Sequence, residues 1–368
     1  MDKYSAYISK KLEGRVEENA LRTLNSNHNS IDFCSNDYLG FAKEKAIHQF
    51  KNTLEYFGST GSRLISGNHE TTEQVEDFLT KFYFSESALL FNSGYNTNVG
   101  LFQSLPHRNS IIIYDELIHA SVRDGIRMNN AVHHSFKHNN IESLEQKLAQ
   151  ANDYIYVVVE SVYSMDGDIS PLNEIAVLCE KYGAALLVDE AHAVGIYGKG
   201  RGLVHELNLE NKVFARIVTF GKAFGCHGAA ILGSKLLTDY LINFSRAFIY
   251  TTALPLQNIV SIQKAHEFLL QNLNRINSLL QLIEYFKSKV VQFNIPTIPS
   301  SSQIQCVLIC GNNKVKNIAG IIQSKGFDVR PILSPTVPKN QERIRICIHS
   351  FNTKSQIDNL TTILENNL

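Results

Sequence analysis

The chain has 368 residues, more than one hydrophobic core usually serves, so more than one domain is expected. Its 35 lysines and arginines balance 35 aspartates and glutamates, which removes the electrostatic case for nucleic acid or an anionic membrane as partner. No uninterrupted apolar run approaches the roughly 18 residues that span a bilayer, and Met1-Asp2-Lys3-Tyr4-Ser5 lacks a hydrophobic signal core, so a cytoplasmic protein is expected.

Residues 1–36 are expected to form an arm that packs across the molecule. Over 37–262, short apolar runs alternate with helix-like segments, and strands are predicted at Ala88 to Phe91, Ile111 to Tyr114, Ile155 to Val159, Leu186 to Val188, Ile217 to Val218 and Ala229 to Leu232. Runs without a polar face read as strands buried on both sides. Their alternation with helices predicts a large α/β domain around a mainly parallel sheet. Several of these strands end in a polar residue that could serve a site: Asp115, Glu160, Asp189 and Thr219. Beyond about residue 262 a long leucine-rich and isoleucine-rich helical stretch runs through Val291, followed by strand-like Ile304 to Ile309 and Ile344 to Ile348. A smaller C-terminal α/β domain over 263–368 is the expectation.

The six cysteines, Cys34, Cys179, Cys226, Cys306, Cys310 and Cys347, are scattered and mostly set in apolar sequence, as reduced core thiols are. Cys306 and Cys310 fall in one predicted strand, too far apart for an unstrained disulfide and without zinc spacing. His133, His134 and His138 lack nearby cysteines or a helical histidine pair and read as a polar surface. No metal site is expected.

Three segments could carry chemistry. In Ile217-Val218-Thr219-Phe220-Gly221-Lys222, a lysine follows an apolar run that carries a hydroxyl. A lysine amine becomes a nucleophile when burial or a neighbouring cation favours its neutral form, and it then makes a Schiff base with a carbonyl. Ala184-Ala185-Leu186-Leu187-Val188-Asp189-Glu190-Ala191-His192 places an acid at a strand's carboxyl end, where ligands gather in open α/β sheets, with a histidine three residues on. A carboxylate there can pair with a protonated pyridine nitrogen. Ser93-Gly94-Tyr95, directly after Leu89-Leu90-Phe91, suits a strand-to-helix turn whose free amides face an anion. Each segment also has a bland reading: a solvated lysine, a helix N-cap at Asp189, a buried structural histidine at His192, and an ordinary small-residue turn.

Taken together and in order, the segments resemble the α-oxoamine synthase family, pyridoxal-phosphate enzymes with the aspartate-aminotransferase (type I) fold. The resemblance covers almost the whole chain. It runs through Asn36-Asp37-Tyr38-Leu39-Gly40, Gly58-Ser59-Thr60-Gly61-Ser62-Arg63-Leu64-Ile65-Ser66-Gly67, Asn92-Ser93-Gly94-Tyr95 and His119-Ala120-Ser121. It continues through Glu160-Ser161-Val162-Tyr163-Ser164-Met165-Asp166-Gly167-Asp168, the Asp189 and Lys222 segments, Tyr250-Thr251-Thr252, Pro335-Thr336-Val337-Pro338 and Arg343-Ile344-Arg345. Within the family the Gly-Ser-x-Gly-Ser-Arg segment is most similar to members that join L-alanine to a pimeloyl thioester in biotin synthesis. Thr72 departs from the pattern, which frequently has a histidine there.

The resemblance implies pyridoxal 5'-phosphate as cofactor and a homodimer with shared active sites. Lys222 would carry the Schiff base and act as general base, Asp189 would hold the ring nitrogen charged, and His119 would lie over the ring. Gly94 and Tyr95 would contact the phosphate side, while Ser164, His192 and Thr219 would hydrogen-bond the cofactor. Thr251 and Thr252 would reach the phosphate from the neighbouring subunit. For substrate, Arg345 matches the arginine that holds the amino acid carboxylate, Asn36 a second carboxylate contact, Thr336 a contact in the closing segment, and Arg22 a residue of the acyl channel. Arg343 is then read as a surface residue. The implied reaction is decarboxylative condensation of L-alanine with a pimeloyl thioester, on coenzyme A or acyl carrier protein, to 8-amino-7-oxononanoate. The alternative is a sister synthase, resembling glycine C-acetyltransferase, 5-aminolevulinate synthase or serine palmitoyltransferase. Asp189-Glu190-Ala191-His192 also spells a helicase acidic box, but no Gly-x-x-x-x-Gly-Lys-Ser/Thr segment accompanies it. A non-catalytic partner subunit would be expected to lack Lys222.

Overall fold

The computed structural model describes residues 2–24, 30–49 and 57–368; of the expected arm, residues 1 and 25–29 lie outside them. The chain forms two compact units, one of Asn36–Ser164 with Ile169–Asn277, the other of Met1–Ser35, Met165–Asp168 and Ser278–Leu368.

The first unit is built on seven strands: β1 (Ser87–Phe91), β2 (Ser110–Asp115), β3 (Val132–Phe136), β4 (Tyr154–Glu160), β5 (Ala185–Asp189), β6 (Ala215–Thr219) and β7 (Ala229–Gly233). They lie in the order β1-β7-β6-β5-β4-β2-β3. All pairs are parallel except the two that β7 makes. Alternate residues of one strand feed opposite layers. Val157, Val159, Leu186 and Val188 pack in one cluster with Leu172, Ile175 and Cys179 of a helix. Val158 and Leu187 pack in the other with Leu101, Phe102, Val122 and Ile126. Two covered faces leave no polar face to show in the sequence, which is why these strands read as continuous apolar runs. Its helices include α1 (Glu70–Tyr83), α2 (Gly94–Ser104), α3 (Ala120–Arg127), α4 (Leu172–Tyr182) and α5 (Leu256–Gln271), and α6 (Asn274–Gln292) belongs mostly to the second unit.

Two elements differ from expectation. β3 went unpredicted because it is an edge strand whose first four residues, Val132 to Ser135, are all exposed, so it has no apolar periodicity. The three histidines of this region do not act as a group: His133 and His134 are exposed, whereas His138, beyond the strand, has Nδ1 2.9 Å from Oδ1 of the buried Asp115. The single helical stretch expected beyond 262 is two helices broken at Asn272, whose side-chain amide donates to Phe268 O at 2.8 Å. An asparagine that bonds the preceding turn competes with helix continuation.

The second unit has an antiparallel sheet of β8 (Thr297–Ile298), β9 (Ile304–Leu308), β10 (Arg330–Ile332) and β11 (Arg343–Cys347) in the order β10-β11-β9-β8. Helices α7 (Asn312–Ser324) and α8 (Lys354–Glu365) bury Val315, Ile318, Ile322, Ile357, Leu360 and Leu364. Ile31–Asp32 pairs in parallel with Phe327–Asp328. The helix Lys3–Glu17, capped by the Asp2 carboxylate, buries none of its residues. Two readings are corrected here. Arg343 is not on the surface: its side chain is 3% exposed and ion-paired with Asp166, the condition under which a guanidinium is tolerated inside. Cys310 lies beyond the end of β9 and is exposed, with Sγ donating to Asn340 O. Among the described residues, no helix is long and apolar enough to cross a membrane.

Candidate active site

β4, β5 and β6 end side by side, and register sets Glu160 beside Asp189 and Asp189 beside Ile217. A cavity of about 260 Å³ opens beyond these ends, just under the roughly 300–1,000 Å³ common for small-molecule sites. Of the residues singled out from sequence, it gathers Asn36, Gly94, Tyr95, His119, Glu160, Asp189, His192, Thr219 and Lys222. The α/β topology explains this convergence, since ligand sites form beyond the carboxyl ends of the strands; Asp115, at the end of β2, is not in the lining and is bonded to His138 instead.

Asp189 is 4% exposed. It accepts from the Asn98 amide at 2.8 Å and from the Ala191 backbone at 3.0 Å. Asn98 also donates to Ser121 Oγ at 3.0 Å, and that hydroxyl lies 2.7 Å from His119 Nδ1. His119 is the N-cap of α3 and accepts from the Ser121 amide. Burial holds its imidazole below the ordinary value; Asp189 works against that, and Lys222 reinforces it. Glu160, 2% exposed, is pushed well above the ordinary carboxyl range, first by burial and then by Asp189, with Lys222 and the amides of His119 and Ser164 opposing. Burial and the neighbouring carboxylate thus both favour the protonated form of Glu160.

Also lining the cavity, Lys222 Nζ lies 2.9 Å from His192 Nε2. His192 Nδ1 lies 2.7 Å from the Tyr38 hydroxyl, which donates to Asn36 Oδ1 at 3.0 Å. Gly94 opens α2. A side chain there would not fit, since a Cβ would come within 2.6 Å of Thr219 Cγ2. Ser93 Oγ caps this helix end by accepting from the Asn96 amide at 3.3 Å, and a helix N-terminus attracts anions. Tyr95 lines the cavity with its hydroxyl donated to Asp124 Oδ2 at 2.7 Å.

Ser164 is half-buried, and its backbone amide donates to Glu160. Thr251 Oγ1 and Thr252 O both accept from the Asn92 amide, at 3.1 and 2.8 Å. Arg22, Thr336 and Arg345 belong to the other unit, where Arg22 Nη2 donates to Thr336 Oγ1 at 3.3 Å and Arg345 lies on β11, half-buried. Sequence reasoning assigned no role to Asn98, Ser121 or Tyr38. Asn98 follows Gly94 by one helical turn, so it shares that glycine's face. Tyr38 stands two residues from Asn36 and was visible only as part of that motif.

The class I and II aminotransferase family matches residues 28–364. The 8-amino-7-oxononanoate synthase of Emericella nidulans is 38% identical over 361 residues, covering 90% of this chain and 87% of that protein. A putative 8-amino-7-oxononanoate synthase of Bacillus cereus is 38% identical over 330 residues, covering 88% and 84%. Among solved structures, 8-amino-7-oxononanoate synthase from Francisella tularensis superposes with TM-score 0.76 at 27% identity, covering 92% of this chain and 98% of that one. Serine palmitoyltransferase of Sphingomonas wittichii superposes with TM-score 0.90 at 24% identity, covering 100% and 97%, a likeness of fold. A match that runs through both compact units, with a lysine, an acid and a histidine converging where this fold places its ligands, has one consequence: the chain belongs to the class I and II aminotransferase family.

Proposed function

We propose that this chain is an α-oxoamine synthase that condenses L-alanine with a pimeloyl thioester, carried by coenzyme A or acyl carrier protein, to give 8-amino-7-oxononanoate, carbon dioxide and the free thiol. One observation carries the chemistry: Lys222 and His192 in contact at 2.9 Å across a cavity that also holds the buried Asp189. Relatives named for that product, matching about nine-tenths of the chain, support the choice of substrates.

The chain is a pyridoxal-phosphate enzyme, and the cavity's residues fit that cofactor. Lys222 offers an amine to its aldehyde, and Asp189 a carboxylate to its ring nitrogen. The bare Gly94 at the start of α2, with Thr219 beside it, suits its phosphate. Glu160 Oε1 and Asn98 Oδ1, buried and without a hydrogen-bond partner among the described residues, supply two further polar atoms at the same cavity. When bound, the cofactor takes up the electron pair left at the substrate's Cα.

The protein's own groups do the rest. Lys222, as a free amine, removes the Cα proton and later returns one. His192 Nε2 receives the proton that the lysine must lose first. Asp189 keeps the ring nitrogen protonated. Arg345 holds the amino acid carboxylate through a two-pronged guanidinium contact, with Asn36 and Thr336 as further substrate contacts and Arg22 on the acyl path. His119 covers the ring, and Tyr95, Ser164 and Thr219 anchor the cofactor. Thr251 and Thr252 serve the neighbouring subunit's phosphate, making the working form a homodimer, in the cytoplasm. The test is a product assay by mass spectrometry with pimeloyl-coenzyme A and alanine, glycine or serine. Formation of 8-amino-7-oxononanoate from alanine alone is expected; product from glycine or serine instead identifies a sister synthase.

A further inference from the structure

The hydrogen-bond chain behind Lys222 has a direction. Asn36 Oδ1 can only accept, so the Tyr38 hydroxyl, 3.0 Å away, spends its single proton there. That leaves the tyrosine oxygen as acceptor for His192 Nδ1 at 2.7 Å, which places the imidazole proton on Nδ1. Nε2 is then a lone pair, and it faces Lys222 Nζ at 2.9 Å. Tyr38 is fully buried and His192 is 4% exposed, so bulk water does not compete for these bonds. The partner of one ring nitrogen sets what the other can do.

We propose that Tyr38 is a positioning residue that, backed by Asn36, locks His192 in the Nδ1–H tautomer so that its Nε2 accepts the proton of Lys222. The transfer balances: the ammonium N–H bond breaks, an Nε2–H bond forms, and the products are a neutral amine and an imidazolium that keeps Nδ1–H on Tyr38. The same lone pair serves any other donor brought to the cavity. The inference rests on the proposed role of Lys222 but concerns a different atom, so the two can fail separately.

The test is long-range ¹H–¹⁵N correlation spectroscopy of the holoenzyme with ¹⁵N-labelled histidine, the His192 signal being assigned by its loss in His192→Gln. Wild type is expected to show a protonated Nδ1 and an unprotonated Nε2. Tyr38→Phe is expected to move the proton to Nε2 and to lower kcat roughly 10- to 100-fold, by analogy with the loss when a partner that orients a metal-bound histidine is removed, with KM for the amino acid little changed. Asn36→Leu should move the tautomer in the same way. A wild-type spectrum with the proton on Nε2, or a Tyr38→Phe spectrum identical to wild type, overturns the proposal whatever Lys222 does. Retained turnover in Lys222→Ala overturns the lysine's role and leaves the tautomer result standing.

Discussion

Asp189 and Glu190 are consecutive residues at the end of β5, yet they belong to two opposite kinds of polar cluster. Successive strand residues point to opposite faces, so Glu190 enters a closed network. Arg216 Nε donates to it at 2.7 Å and the Val204 amide at 2.9 Å. Arg216 also donates to the backbone oxygens of Tyr83 and Arg201. Gly202 lines this network with φ near +100°, and a Cβ there would come within 2.5 Å of Glu190 Oε1. On the other face, the Asp189 cluster holds two acids in register, and Glu160 Oε1 and Asn98 Oδ1 have no hydrogen-bond partner among the described residues. Buried polar groups are ordinarily satisfied. A network that satisfies every member holds the fold together, whereas one that leaves members over at a cavity is built for a ligand.

The sharpest break of this contrast is at the lysine. Lys222→Ala is expected to lower kcat by at least about 10⁴-fold, the upper end of what a general base contributes, and to abolish the absorbance of the cofactor imine, with the thermal transition little changed. Retained turnover would remove Lys222 from the reaction. In the closed network the loss should instead be structural. Arg216→Met is expected to lower unfolding stability by about 3–5 kcal/mol, since it strands a buried carboxylate. Adding Glu190→Met should recover much of that loss, as removing both charges is far less costly than removing one. Denaturant midpoints of the two variants decide it, and equal midpoints would mean that the pair is not coupled.

Asp189→Asn should leave folding intact and slow Cα proton exchange by about 10²–10³-fold, the size of a lost electrostatic partner at a reacting centre. Unchanged exchange would contradict its pairing with the ring nitrogen. The smallest expected effect is at Glu160, and it has a sign. Its carboxyl is raised in the folded protein above the ordinary 4.5, so above that pH the folded state binds more protons than the unfolded one. Stability therefore falls as pH rises from about 4.5 toward the raised value. Glu160→Gln removes the dependence, so its denaturation midpoint should gain on wild type between pH 5 and pH 8. A gap that is constant across that range would show that Glu160 does not hold its proton.

Legibility follows the same division. The apolar runs of β4, β5 and β6, and the polar residues that end them, were readable because burial on both faces writes itself into consecutive positions. β3 was not, because an exposed edge strand is held by backbone bonds that leave no side-chain pattern. Arg343 was read as a surface residue because a lone charge usually is one; its partner, Asp166, is distant in sequence, and only folding brings the two together. Tyr38 was visible as a motif letter, but its bond to His192 spans 154 positions and has no local signal.

By itself, then, the sequence determined the alternation of strands and helices, the lysine, acid and histidine of the chemistry, and the family they resemble. These depend on local pattern and residue type. The tertiary structure alone decided which of two adjacent acids faces the cavity, which carboxyl burial pushes toward its protonated form, and which nitrogen of His192 faces Lys222. Those outcomes depend on strand register, desolvation and the direction of hydrogen bonds, and each is set by residues far apart along the chain.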